Sequence, residues 1–99
     1  MTESVANAVF LRSRAGKEEE LAGRLKALVL SSRLDAGVTT YDLHRSLDDP
    51  AEWFLYERYE SQDYFERHLE NPILRQFLAD AATLVDGKID IRKFRVVAD

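Results

Sequence analysis

The chain has 99 residues, 45% of them hydrophobic and 32% charged, which is typical of one soluble globular domain spanning residues 1–99. Its net charge of −4 argues against binding to nucleic acid or to an anionic membrane, and the absence of cysteine excludes disulfides and thiolate metal sites. No apolar run approaches the roughly 20 residues of a membrane span and no signal peptide is visible, so we expect a cytoplasmic protein.

The first two predicted elements are a strand and a helix. Residues 5–11 (VANAVFL) are apolar and partly β-branched, which favours a buried strand. Residues 17–33 form the clearest helix, because acidic residues crowd its first turn and apolar residues recur on one stripe. A turn at residues 35–37 ends it, with Gly37 free to adopt a left-handed conformation. The stripe consists of Leu21, Leu25, Leu28 and Ser32.

A hairpin and a second helical region complete the predicted order. Residues 38–47 (VTTYDLHRSL) and 52–60 (EWFLYERYE) are strands rich in β-branched and aromatic residues, and the connection between them is too short for anything but a hairpin. Ser61 is a plausible N-cap for a helix that reaches residue 70, and Pro72 begins another that reaches about residue 85. The alternating segment at the end, KIDIRKFRVV, predicts a last strand over residues 88–97.

This β-α-β-β-α-β order predicts a ferredoxin-like α+β fold, with a four-stranded antiparallel sheet and the helices on one face. The third strand carries large aromatic residues on both faces, Trp53 and Tyr59 on one and Phe54 and Tyr56 on the other. A sheet covered by helices on one side is ordinarily polar on the other. The second aromatic face therefore predicts a further layer, and the simplest source is another copy of the chain in a homodimer.

His68 and Glu57 are the candidate catalytic residues. His68 shares the apolar stripe of its helix with Tyr64 and Phe65, so its imidazole either satisfies a buried polar neighbour or faces a cavity as a base or donor. Glu57 lies mid-strand on the face of Trp53, where burying an unpaired carboxylate costs several kcal/mol. If the two side chains meet, they form either a structural pair or a carboxylate that orients an imidazole for proton transfer.

Three further residues have ambiguous roles. Tyr41 shares its strand face with Leu43 and lies either in the core or in a pocket, whereas His44 points the other way, to solvent or to a dimer contact. Asn7 is an amide between two small residues, which leaves room for a ligand, although structural pairing explains it as well. The two histidines have no metal-binding spacing, and no nucleotide or nucleophile motif is present, so we expect neither a metal nor a flavin or nicotinamide cofactor.

Residues 56–72 (YERYESQDYFERHLENP) resemble the antibiotic biosynthesis monooxygenase family of dimeric α+β barrels. Residues 15–21 (AGKEEEL) are similar to the start of that family's first helix, and residues 36–50 (AGVTTYDLHRSLDDP) to its second strand and hairpin turn. The resemblance covers nearly the whole chain in the right order. The residues that match the family pattern are Glu57, Tyr59, His68 and Pro72.

Members of this family oxidise polycyclic phenols or quinols with molecular oxygen and no bound metal or flavin, while relatives isomerise a phosphorylated sugar or degrade haem. The resemblance implies a pocket between sheet and helices that contains Glu57 and His68, and a dimer across the other sheet face. The chain departs from the pattern with Tyr59 where many members have Trp, and with Ile73 where many have a second His, which argues against the isomerase. The helix after Pro72 has no His, which argues against haem degradation.

The leading hypothesis is a cofactor-independent monooxygenase that oxidises a quinol or a polyphenol with dioxygen. In it, His68 removes a phenolic proton, Glu57 orients the imidazole, and neighbouring aromatic and amide side chains hold the ring. The alternatives are a non-catalytic small-molecule-binding dimer, and an isomerase or cyclase that uses the same pair without oxygen. The substrate-binding candidates are Asn7, Tyr41, Trp53, Tyr59, Tyr64 and Phe65.

Overall fold

The computed structural model describes residues 3–99, so residues 1 and 2 of the predicted domain lie outside the described residues. Its strands are β1 (Val5–Arg12), β2 (Val38–Arg45), β3 (Glu52–Tyr59) and β4 (Asp90–Arg95), and its helices are α1 (Glu18–Ser32), α2 (Gln62–His68) and α3 (Pro72–Leu84). The strands form one antiparallel sheet in the order β2-β3-β1-β4. This confirms the predicted α+β fold of ferredoxin-like order.

Three strands are shorter than predicted, β3 by its last residue alone and β2 and β4 by more. β2 ends two residues early, because Ser46 Oγ accepts hydrogen bonds from the backbone N–H groups of Asp48 and Asp49 and so starts the hairpin turn. β4 lies two residues inside its predicted range at each end, because it pairs only with β1 and that ladder runs from the Phe10–Asp90 pair to the Val5–Arg95 pair. The boundaries therefore follow from pairing partners and local side-chain bonds rather than from hydrophobic alternation.

The strand register places four side chains of the proposed pocket region in one row across the sheet. Glu57 in β3 lies opposite Tyr41 in β2 and opposite Asn7 in β1, and Asn7 in turn lies opposite Lys93 in β4. Directly opposed residues have their Cβ atoms about 5 Å apart and share one face of the sheet. The row lies on the inner face, which is the face that the helices cover.

The core lies between the inner face and α1, whose predicted stripe of Leu21, Leu25, Leu28 and Ser32 is buried as expected. α3 adds Leu74, Phe77 and Leu84 to the same cluster. The helices leave β4 uncovered, so that Ile91 on its inner face is half exposed. The core is therefore open on the side of β4. Among residues 3–99, no helix has the length and hydrophobicity needed to cross a bilayer.

The outer face of the sheet, which points away from the helices, carries the predicted second set of aromatic residues. The Phe10 and Phe54 rings stack with centroids 5.0 Å apart, and the His44 ring stacks on the other side of Phe54 at the same distance. The Arg92 guanidinium lies 4.9 Å from the Phe10 centroid. These contacts form a continuous stacked row across all four strands of the sheet.

Candidate active site

A cavity of about 80 Å³ lies between the inner face of the sheet and the three helices, and it is open towards β4. Most of its wall is aliphatic or aromatic, and its polar groups come from the row of side chains on the sheet and from α2. Such a site is a mostly apolar pocket with a few convergent polar groups, the usual form of a small-molecule site. The polar residues that line it are Asn7, Tyr41, Glu57 and His68.

Glu57 is the buried acid of this cavity, with a relative exposure of only 5%. The Tyr59 hydroxyl donates a hydrogen bond of 2.6 Å to Glu57 Oε1. Burial raises the pKa of the Glu57 carboxyl above its usual value, and the Tyr59 hydrogen bond, the charge of His68 and the polar groups of Asn7 and Tyr41 offset part of that effect. The carboxyl can therefore hold a proton more readily than an exposed glutamate does.

His68 is the last residue of α2 and is 2% exposed. Its Nδ1 lies 2.9 Å from Asp35 Oδ2, and its Nε2 lies 3.3 Å from the Tyr41 hydroxyl. The expectation that Glu57 orients this imidazole is wrong, because the carboxylate bonded to the ring belongs to Asp35. Glu57 still lines the same cavity as His68, with Tyr41 placed between them.

Asp35 follows the C-terminus of α1 and is the site residue that the sequence did not indicate. Its side chain is 30% exposed, and its Oδ2 also accepts a hydrogen bond of 2.9 Å from Asn71 Nδ2. Asn71 Oδ1 in turn caps α3 by accepting from the N–H groups of Ile73 and Leu74. One amide therefore ties the start of α3 to the carboxylate that holds the imidazole.

Tyr41 and Tyr59 flank the Glu57 carboxyl on the inner face. Burial, followed by the nearby charge of Glu57, raises the pKa of both phenols well above the ordinary value of 10.0. Both hydroxyls therefore stay protonated at every pH at which the protein would work. They act as neutral hydrogen-bonding groups rather than as bases.

Comparisons with known proteins identify the family of this chain. Residues 4–80, most of the chain, match the family model described as antibiotic biosynthesis monooxygenase. The chain belongs to the antibiotic biosynthesis monooxygenase family. This confirms the resemblance carried by the segment from Tyr56 to Pro72 and supports a monooxygenase-like function. No curated protein sequence matches the chain.

Solved structures share the fold of this family member along its whole length. The crystal structure of PA3566 from Pseudomonas aeruginosa is 26% identical, covers 99% of this chain and 98% of its own, and superposes with a TM-score of 0.92. Rv0793 from Mycobacterium tuberculosis is 24% identical, with 97% of each chain covered and a TM-score of 0.90. A Nitrosomonas europaea protein whose name provisionally assigns it to the same family is 18% identical, with 98% of this chain and 93% of its own covered, at a TM-score of 0.91.

Among the predicted substrate-binding residues, Asn7, Tyr41 and Phe65 line the cavity, and the other three do not. Trp53 shares the inner face but lies farther along β3, where the Arg45 guanidinium covers its ring at 4.5 Å. Tyr59 is fully buried behind the cavity wall, where its hydroxyl bonds to Glu57 and its ring lies 5.4 Å from the Phe65 ring and 5.6 Å from the His68 ring.

Tyr64 also lies outside the cavity, because its ring packs directly on Gly37. Gly37 has a φ of 78°, and the ring lies so close that a side chain at position 37 would not fit. Within residues 3–99, His, Asp and Glu side chains form no group of three or more that could hold a metal ion.

Proposed function

We propose that this family member is a cofactor-independent monooxygenase that oxidises a quinol or a polyphenol with dioxygen. The observation that carries the proposal is the cavity itself, in which a buried carboxyl group and an imidazole meet a wall that is otherwise apolar. A proton acceptor in a mostly apolar site suits the conversion of a phenol into an electron-rich phenolate. Family membership supports the same reaction class.

The reaction balances without a bound cofactor. The substrate hydroxyl is placed at the polar end of the cavity, beside Asn7, Glu57 and His68, where it loses its proton. The phenolate passes an electron to dioxygen, and the two radicals combine to form a carbon–oxygen bond on the ring. The O–O bond and the C–H bond at that carbon then break, so that one oxygen atom stays on the ring and the other leaves as water with the ring hydrogen and one proton. The quinol becomes a hydroxyquinone. The substrate supplies all the electrons.

The size of the cavity limits the part of the substrate that it can enclose. An engineered cavity of about 150 Å³ admits one benzene molecule, whereas this cavity measures about 80 Å³. We therefore place only the hydroxyl-bearing edge of one ring inside, with the remainder of the molecule in the open mouth. The mouth is lined by Leu69, Leu78 and Ile91, which are all about half exposed.

The protein is proposed to act as a homodimer joined through the outer face of the sheet. Phe10, Phe54, Tyr56 and Phe94 lie on that face according to the register, and Phe94 is 55% exposed. An aromatic face of this kind on a small domain gains stability when a second copy covers it.

One observation favours a second candidate, a non-catalytic small-molecule-binding protein. Both nitrogens of the His68 ring already have protein partners, as they do in many structural histidines. Oxygen consumption separates the two candidates, because a carrier binds a quinol without consuming oxygen.

The test is oxygen uptake with menadiol or a monocyclic quinol under air, measured against a protein-free blank. We expect uptake above the blank for the wild-type protein and loss of at least about 100-fold for His68→Ala. The matched control is His44→Ala, the other histidine of the sequence, with its assembly checked by sedimentation because His44 lies on the proposed dimer face. Uptake by His68→Ala at the wild-type rate removes His68 from the mechanism, and saturable binding of quinol without uptake supports the carrier.

A further inference from the structure

A line of polar side chains runs from solvent to the cavity. It starts at Asp35, whose side chain is 30% exposed, and continues 2.9 Å to His68 Nδ1. From His68 Nε2 it continues 3.3 Å to the Tyr41 hydroxyl, and Tyr41 lies directly opposite Glu57 in the same row of the sheet. We propose that a proton accepted by Glu57 leaves the cavity through Tyr41, His68 and Asp35, so that Asp35 is the positioning residue at the solvent end. This inference rests on the proposed function.

The hydrogen-bond partners fix the direction of the line. Asp35 Oδ2 accepts a hydrogen bond of 2.9 Å from Asn71 Nδ2, so this oxygen serves as an acceptor towards the His68 ring as well. Nδ1 of the imidazole is therefore the donor to Asp35. In the neutral ring Nε2 is then an acceptor, and the Tyr41 hydroxyl donates to it. Each group in the line is set to pass a proton towards Asp35.

Tyr41 suits the middle of the line because it does not ionise. Burial and the charge of Glu57 raise the pKa of its phenol, so the hydroxyl gives up its proton only as it receives another. Glu57 suits the inner end, because burial raises the pKa of its carboxyl and lets it hold the proton of the substrate. His68 is thereby a conductor between the cavity and solvent, and Glu57 is the group that meets the substrate.

The transfer balances one proton in and one proton out. The phenolic O–H bond breaks as an O–H bond forms on the Glu57 carboxyl. Glu57 then protonates the Tyr41 oxygen while the Tyr41 proton moves to His68 Nε2. The Nδ1 proton of His68 passes to Asp35, which releases it to water. No electron moves along the line, since the electrons of the phenolate go to dioxygen.

The kinetic test compares Asp35→Asn with Asp48→Asn in quinol-dependent oxygen uptake. Asp48 is the matched control, because it is an exposed carboxylate in the turn between β2 and β3, away from the line. We expect Asp35→Asn to lower kcat by about tenfold or more with KM within about twofold, and we expect small proton acceptors such as imidazole or formate to restore part of the loss. A wild-type kcat in Asp35→Asn, or a loss that no buffer relieves, overturns the proposal.

A second measurement needs no turnover. We expect ¹⁵N spectra of the resting protein to show His68 protonated at Nδ1. We also expect the Glu57→Gln substitution to shift the His68 Nε2 resonance when Tyr41 is present. In a protein that already carries Tyr41→Phe, the same substitution should leave that resonance unchanged, because Glu57 affects His68 through the Tyr41 hydroxyl. If the His68 resonance responds to Glu57 in this Tyr41-dependent way but the wild-type protein consumes no oxygen, the line is supported and the proposed function is overturned. If the wild-type protein consumes oxygen but the His68 resonance does not respond to Glu57, the line is overturned and the proposed function stands.

Discussion

The carboxyl group of Glu57 lies in the middle of a strand, packed among apolar side chains, with the Tyr59 hydroxyl as its one short hydrogen-bond donor. A buried acid with so few donors opposes folding whenever it is charged. Proteins keep such groups where a reaction needs them, at the expense of stability. The position therefore favours a chemical role for Glu57 over a purely structural one.

Replacing this acid tests that view through stability. The pKa of folded Glu57 is raised above the unfolded value of about 4.5, so its stabilising contribution is complete below pH 4.5 and is lost as the pH rises through the folded pKa. We expect Glu57→Gln to raise the free energy of unfolding by about 1 kcal/mol at pH 8 and to lose this advantage under acidic conditions. Urea denaturation at several pH values measures it. Glu60→Gln, at an exposed position, is the control, and an equal gain at every pH contradicts the prediction.

The residues of the site differ in how far the sequence indicated them. Strand alternation placed Glu57 on the buried face, and helical spacing placed His68 on the buried stripe, so local periodicity identified both. Asp35 is separated from His68 by 33 positions and lies in a turn, where an aspartate has an ordinary local explanation. Trp53 lies on the correct face, but its distance along the strand from the cavity depends on tertiary packing. Alternation gives the face of a residue and not its neighbours across the fold.

Asn71 is the point at which three elements meet. Its Oδ1 caps α3, while its Nδ2 donates to Asp35 at 2.9 Å and to Ser31 Oγ at 3.0 Å near the end of α1. The capping bonds stabilise α3, and the bond to Asp35 aligns the carboxylate with the imidazole at the end of α2. The position of the site therefore depends on the junction between α2 and α3.

Two substitutions at Asn71 separate these contributions. We expect Asn71→Ala to lower the free energy of unfolding by about 1 kcal/mol, because α3 loses its cap. Asn71→Ser keeps a capping oxygen but is too short to reach Asp35, so we expect it to recover most of the stability while kcat for quinol oxidation stays reduced in both variants. Thermal unfolding and oxygen uptake measure the two effects. Full activity in Asn71→Ser contradicts a role for the contact with Asp35.

The elements themselves were largely predictable, and their misjudged parts have physical causes. The leucine stripe of α1 and the aromatic strand β3 have strong periodicity, and both lie where it indicated. Tyr64 was assigned to the cavity with its neighbour Phe65, but one step along a helix turns a side chain by about 100°. Tyr64 consequently packs on Gly37, whose positive φ and lack of a side chain make room for the ring.

At the scale of the molecule, the outer face of the sheet is the proposed dimer interface. We expect the wild-type protein to sediment as a dimer, and Phe54→Glu to weaken the dimer by at least about 100-fold, because a charge opposite an aromatic partner face is costly to desolvate. Leu30→Glu is the control, since Leu30 is 67% exposed on α1. Sedimentation and circular dichroism measure assembly and folding together. A wild-type monomer, or a Phe54→Glu dimer of unchanged affinity, rules out this face as the interface.

The proposed function requires that a phenolic ring receives an oxygen atom in the cavity. The most direct measurement is mass spectrometry of the product formed from a quinol under isotopically labelled dioxygen. We predict that each product molecule carries one labelled oxygen atom with the wild-type protein, and that this product falls to the level of the protein-free blank with His68→Ala. A product without label, or labelled product formed equally well without the protein, would contradict the assignment.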